Sequence, residues 1–135
     1  VVPPTACIIQ EELGLPETCL SIEIKHGCSG WVVGLNSAAS LIMGGCLKRA
    51  LLLCGDTSTL FHSPFDKETR PLFGDAGSCT ALEFDTIAST LEFEHGTRGK
   101  DFKSIYTPVG GCRNAVTAKD LEFIEYGPNQ LLWMA

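Results

Sequence analysis

Long apolar runs are missing from this chain: none approaches the ~20 residues that a membrane-crossing helix needs. Positive charge is scarce as well. Ten Lys and Arg stand against 16 Asp and Glu, a net charge of -6, which argues against the basic footprint of a nucleic-acid binder. Seven cysteines are present, but no two have the C-x-x-C spacing of a zinc ribbon or a thioredoxin-type site. There is no signal-peptide pattern, internal repeat or low-complexity segment. Charged residues make up only 19% against 44% hydrophobic, so the composition is that of a folded chain. The 135 residues suit one domain or part of a larger one. The chain opens at Val1 without a Met and stops in an apolar run at Ala135, so we expect a piece of a longer fold.

What is present reads as α/β. Thr5–Leu13 predicts a short helix with Thr5 as N-cap and Gly14 as the C′ residue, and Pro16 blocks its continuation. Leu20-Ser21-Ile22-Glu23-Ile24-Lys25 alternates apolar and polar residues, the pattern of a strand at a sheet edge or subunit seam. Residues 28–45 read as a long, mostly buried helix. Trp31, Leu35, Ala38 and Ile42 form its stripe, Val32, Ala39 and Met43 widen it, and Gly44-Gly45 ends it. Ala50–Cys54 is a continuous apolar run, expected of a central parallel strand covered on both faces. Strand, helix and strand together predict a βαβ unit. An irregular excursion over residues 55–77 leads to a strand at Ser78–Phe84, and a further strand is indicated at Ala88–Phe93. Residues 94–117 are turn-rich. Most cysteines, Cys54 among them, are expected to be reduced, buried small hydrophobes of a cytoplasmic protein.

One cysteine stands apart. His26-Gly27-Cys28-Ser29-Gly30 follows a predicted strand and opens a predicted helix. A thiol there meets the positive end of the helix dipole and unpaired backbone N–H groups. Both favour the thiolate, which is the nucleophile, and the N–H groups can receive the oxyanion of an attacked acyl carbonyl. The arrangement parallels a nucleophile elbow, with His26 where that motif has Gly. Spacing alone leaves two readings open, a nucleophile and a buried structural cysteine.

Four motifs in order make residues 3–135 resemble the middle of a β-ketoacyl-[acyl-carrier-protein] synthase III, a thiolase-fold condensing enzyme. Thr5–Gln10 resembles the helix before the active strand. Ile24–Trp31 resembles the nucleophile motif, Ala50–Asp56 the next strand, and Asp66–Gly77 the Asp-Arg-x-Thr-x-x-Leu-Phe-Gly-Asp-Gly-Ala signature. The resemblance implies a partial thiolase-like α/β fold. Residues 1–86 would be the second part of its N-terminal half, and residues 87–135 would begin the C-terminal half. It implies that Cys28 accepts an acyl group from acyl-CoA, and that a malonyl-carrier protein then loses carbon dioxide and attacks the acyl-enzyme in a Claisen condensation of fatty acid biosynthesis. It implies no cofactor and no metal: acyl-CoA and malonyl-carrier protein are substrates. The family's partner His and Asn, and a Gly that supplies a second oxyanion N–H, should follow Ala135, so this chain alone is expected to be inactive. A homodimer through the Leu20–Lys25 strand is implied, in the cytoplasm, with acyl carrier protein as partner and no nucleic acid or membrane. Other readings are a polyketide- or quinolone-type ketosynthase and a non-catalytic thiolase-fold subunit.

The remaining candidates carry bland readings beside functional ones. Lys67 stands where the family has an Arg near the CoA nucleotide. It can meet phosphate without planar stacking, or it is a solvated lysine. Phe73 lines the acyl pocket or packs in the core. His26 departs from the family's small residue; as i and i+2 on a strand, His26 and Cys28 share a face, yet the family's catalytic His comes from elsewhere. His62 and His95 read as solvated loop residues. Gly74-Asp75-Ala76-Gly77 reads as a turn entering a strand rather than a phosphate cradle. Trp31 and Trp133 read as core.

Overall fold

The computed structural model describes residues 2–60, 67, 70–104 and 114–120. The chain forms two compact units, Val1–Cys54 with Cys79–Ser89, and Gly55–Ser78 with Thr90–Ala135. Both helix and strand are present, as the α/β reading requires.

In the first unit, helix α1 spans Thr5–Glu12 and helix α2 spans Gly30–Met43. Both close the same way. Gly14 sits at φ 60 and Gly45 at φ 75, backbone angles that cost glycine little and other residues much. The N–H of Leu15 reaches the carbonyl of Gln10 at 3.0 Å and that of Gly14 reaches Glu11 at 2.9 Å. The N–H of Cys46 reaches Leu41 and that of Gly45 reaches Ile42, each at 3.0 Å. These are the paired bonds of a Schellman motif, read correctly from the two glycine positions. The start of α1 differs from expectation. Pro4 holds the N-cap position and Thr5 is already helical, with no side-chain cap. The Thr5 side chain and backbone instead bond the Glu23 carboxylate, which also pairs with Lys25 Nζ at 3.0 Å.

Strand β1 spans Arg49–Asp56 and strand β2 spans Ala76–Glu83; they form a two-stranded sheet. A Cβ at Gly55 would lie 3.2 Å from the Ala76 carbonyl and 3.4 Å from Gly77 Cα. The end of β1 therefore runs beside the start of β2, the antiparallel arrangement. Along β1, Ala50, Leu52 and Cys54 are half-buried, and along β2 Thr80 and Leu82 are. This is the face that α2 covers. Leu52 occupies the space a Gly34 side chain would need, 2.6 Å from its Cβ position, and the Trp31 indole N–H donates to Thr80 Oγ at 3.1 Å. Gly34, Ala39 and Ile42 are the buried positions of α2.

The structure departs from the sequence expectations in several places. β1 is covered on one face only, since Leu51 is 53% and Leu53 43% exposed and α2 lies on the other side. Its partner among the described residues is antiparallel. Helix α2 is buried only in part: of the expected stripe Ala39 and Ile42 are buried and Leu35 and Ala38 half-buried, whereas Trp31, Val32 and Met43 are exposed. Leu20–Lys25 forms no strand, so among the described residues the βαβ unit is not closed there. Its apolar residues Leu20, Ile22 and Ile24 are exposed, while Ser21 and Glu23 are half-buried because Glu23 is bonded to α1. Ala88–Phe93 forms no strand either. Trp133 and His62 lie outside the described residues, as does Cys112. The six described cysteines are thiols, as expected, but five are exposed and Cys54 is half-buried, because so little of the described surface is covered.

In the second unit, single 3-10 turns at Ser58–Leu60 and Arg70–Leu72 punctuate the excursion between the strands. Its neck is clasped. The Asp75 carboxylate accepts the Thr59 N–H at 2.9 Å and the Thr59 hydroxyl at 2.6 Å. The expected Gly74–Gly77 turn is corrected: Ala76 and Gly77 already belong to β2, which starts two residues before the expected Ser78, and Gly74-Asp75 is the irregular segment leading into it.

Candidate active site

Cys28 belongs to a turn that hands the chain into α2. The Gly30 N–H donates to the Gly27 carbonyl at 2.8 Å, which places Cys28 and Ser29 at the two central positions. Ser29 has φ -93 and ψ 11, the angles of the third residue of a type I turn. Helix α2 then begins at Gly30, and its first intrahelical bond runs from the Val33 N–H to the Ser29 carbonyl at 3.0 Å. Cys28 is therefore one residue outside the N-cap, and its thiol is exposed. No side chain caps the first turn of α2. Helix-start N–H groups without a side-chain acceptor, beside a reachable thiol, are what attack on a thioester carbonyl requires: a nucleophile, and donors for the developing oxyanion.

Small residues make this start possible. A Cβ at Gly27 would meet nothing, and one at Gly30 would touch only His26 Cβ, at 3.8 Å. His26 thus lies over the first residue of the helix. Its Nδ1 is 3.1 Å from Ser29 Oγ, a hydrogen bond in which the imidazole tautomer decides the donor. The sequence reading singled out His26 and Ser29 separately and missed their bond. A serine at an N-cap ordinarily caps its own helix, so the signal pointed elsewhere.

The other candidates lie in the second unit. Lys67 is exposed in a turn. Phe73 is 44% exposed, just after the Arg70–Leu72 turn, and its N–H reaches the Arg70 carbonyl at 3.3 Å. His95 is exposed and stacks on Phe93, ring centroids 6.3 Å apart. The Thr59–Asp75 clasp, also missed from sequence, holds the Asp75 carboxyl below the usual carboxylate range. The Thr59 hydroxyl bond is the larger cause and its N–H bond the second.

The family model for 3-oxoacyl-[acyl-carrier-protein (ACP)] synthase III matches residues 22–99, which include Cys28, Lys67, Phe73 and Asp75. A β-ketoacyl-[acyl-carrier-protein] synthase III from Pseudomonas aeruginosa is 35% identical over 110 residues, covering 79% of this chain and 33% of that protein. Among solved structures, 3-oxoacyl-(acyl carrier protein) synthase III of Pseudomonas aeruginosa PAO1 superposes with TM-score 0.75 at 30% identity, covering 92% of this chain and 40% of that one. A 3-oxoacyl-(acyl-carrier protein) synthase from Burkholderia xenovorans LB400 gives TM-score 0.73 at 36% identity, covering 99% and 38%. The chain spans about a third of the length of the curated relatives it matches. With the Cys28 turn inside the matched segment and a partial thiolase-like α/β fold around it, the chain belongs to the 3-oxoacyl-[acyl-carrier-protein] synthase III family.

Proposed function

We propose that this chain is the nucleophile-bearing segment of an acyltransferase that performs a decarboxylative Claisen condensation in fatty acid biosynthesis. Residues 1–86 would belong to the first half of the fold and residues 87–135 would open the second. The observation that carries the reading is the exposed Cys28 thiol one residue before the uncapped start of α2. The Cys28 thiolate attacks the carbonyl of an acyl-CoA; the coenzyme thiolate leaves and the acyl group stays on sulfur as a thioester. A malonyl group on acyl carrier protein then loses carbon dioxide, and its enolate carbon attacks the acyl-enzyme and releases the Cys28 thiolate. No cofactor or metal enters this scheme. By register with the family, Lys67 contacts coenzyme phosphate as a point charge and Phe73 contacts the acyl chain. The exposed row Leu20, Ile22 and Ile24, on a segment unpaired among the described residues, fits a seam between two copies. Thiol cysteines fit a reducing, cytoplasmic setting. Among the described residues no helix is long and apolar enough to cross a membrane.

The test is iodoacetamide labelling of the full-length protein with mass mapping. Cys28 is expected to label ahead of the other exposed cysteines and to be protected by prior acyl-CoA. Slow, uniform labelling of several cysteines refutes the nucleophile. The seam is tested by sedimentation: Ile22→Lys should shift the protein toward monomer, and an unchanged mass rejects it.

A further inference from the structure

We infer that His26 is a positioning residue for Cys28: it holds Ser29 in the turn conformation and so keeps Ser29 from capping α2. This inference rests on the reading of Cys28 as the nucleophile.

Ser29 stands at a branch point. As an N-cap serine it has a standard alternative, an extended ψ with its hydroxyl accepting an N–H of the first turn. It does not take it. At ψ 11 it serves the 27–30 turn, and its hydroxyl points back three residues to His26 Nδ1, 3.1 Å away. The alternatives exclude one another. Rotating the Ser29 ψ to the extended value carries the Gly30 N–H off the Gly27 carbonyl, which opens the turn and re-aims Cys28. It also sets a hydroxyl oxygen on the N–H groups that an oxyanion would use. Two hydrogen bonds, Gly30 to Gly27 and Ser29 to His26, hold the turn form; one cap bond would hold the other. Removing the imidazole leaves one against one. His26 lies over Gly30 and is exposed, so it can make this bond without being part of the core.

The experiment measures the second-order rate of iodoacetamide alkylation at Cys28 in the full-length protein, with the exposed Cys79 as internal reference. His26→Ala is expected to slow Cys28 about twofold, because losing one ordinary hydrogen bond takes the turn form from about five parts in six to about one half. Ser29→Ala cannot cap. Alone or combined with His26→Ala, it is expected to keep the full rate of the unaltered protein, because the competing form is gone. His26→Asn, whose amide reaches where Nδ1 does, should also stay near the unaltered rate. Recovery by a second substitution is something a misfolded or merely weakened variant cannot show. The inference is overturned if His26→Ala leaves the rate unchanged, or if Ser29→Ala fails to restore it. It is equally overturned if His26→Asn is as slow as His26→Ala, which would make the imidazole a base. If Cys28 in the unaltered protein reacts no faster than Cys79, the nucleophile reading itself fails and takes this inference with it.

Discussion

Two helical starts in this chain put a hydroxyl residue at the N-cap and use it in opposite ways. At Thr117, ahead of the helical turn 118–120, the Asp120 carboxylate reaches back to the Thr117 N–H at 2.7 Å and to its hydroxyl at 2.5 Å. The Asp120 N–H bonds the Thr117 carbonyl at 3.1 Å. The Asp120 carboxylate thus supplies the returning half of a capping box, on the N-cap N–H, and takes the Thr117 hydroxyl as a second donor. At Ser29 the hydroxyl turns away to His26 and the first turn of α2 is left uncapped. A closed start gains stability. An open one gives up that gain and keeps donors for an incoming anion. The difference teaches where to look for chemistry: at the start with no carboxylate of its own on its polar groups.

The largest expected effect concerns what holds the open start in place. Without a cap, α2 depends on its packing against β1. A Gly34 side chain would strike the end of Leu52. Gly34→Val should therefore cost about 2–3 kcal/mol in denaturant unfolding of the full-length protein, combining overpacking with a β-branched residue in a helix. A cost below that of Ser29→Ala would break the comparison. Next in size, Thr117→Ala should cost about 1 kcal/mol, the worth of a hydroxyl bond to a carboxylate, whereas Ser29→Ala, which loses a neutral bond, should cost clearly less. Equal losses would mean that the carboxylate adds nothing at the Thr117 start.

The smallest effect is in acid. Asp120 is held below the usual carboxylate range, first by the Thr117 hydroxyl and then by its N–H. A carboxyl whose pKa is lowered by folding contributes stability that is fully present above its unfolded value, about 3.9, and lost as pH falls through the folded value. The Thr117 amide resonance should accordingly shift, and its exchange quicken, only below about pH 4. Asp75, lowered by Thr59, should carry the Thr59 amide through a like transition. The first-turn amides of α2, with no carboxylate among their bonds, should show none. A transition there in the same range would identify an acidic cap at Ser29 that the structure does not contain.

Much of the fold was legible because it depends on neighbours in sequence. Gly14 and Gly45 announce left-handed helix ends, and both helices close there. Gly74-Asp75 announces entry into a strand, and β2 begins one residue later. The motif around Cys28 was legible as a turn into a helix for the same reason. What misled was alternation without a partner. Leu20–Lys25 has the period of a strand, but a strand exists only when another backbone takes its hydrogen bonds, and among the described residues none does. Burial misled in the same way. Leu51 and Leu53 are as apolar as Leu52, and only the position of α2 makes Leu52 the covered one.

By itself, the chain determined where its helices stop and which thiol is flanked by small residues at a turn into a helix, because backbone sterics act over three or four residues. Tertiary structure decided which face of β1 is covered and that Thr59 closes on Asp75 across sixteen positions, and only the folded structure shows the local choice by which Ser29 bonds His26 in place of its own helix. Those outcomes turn on one rotation or one approach between groups with several partners in reach, and composition does not choose among partners that are equally able to bond.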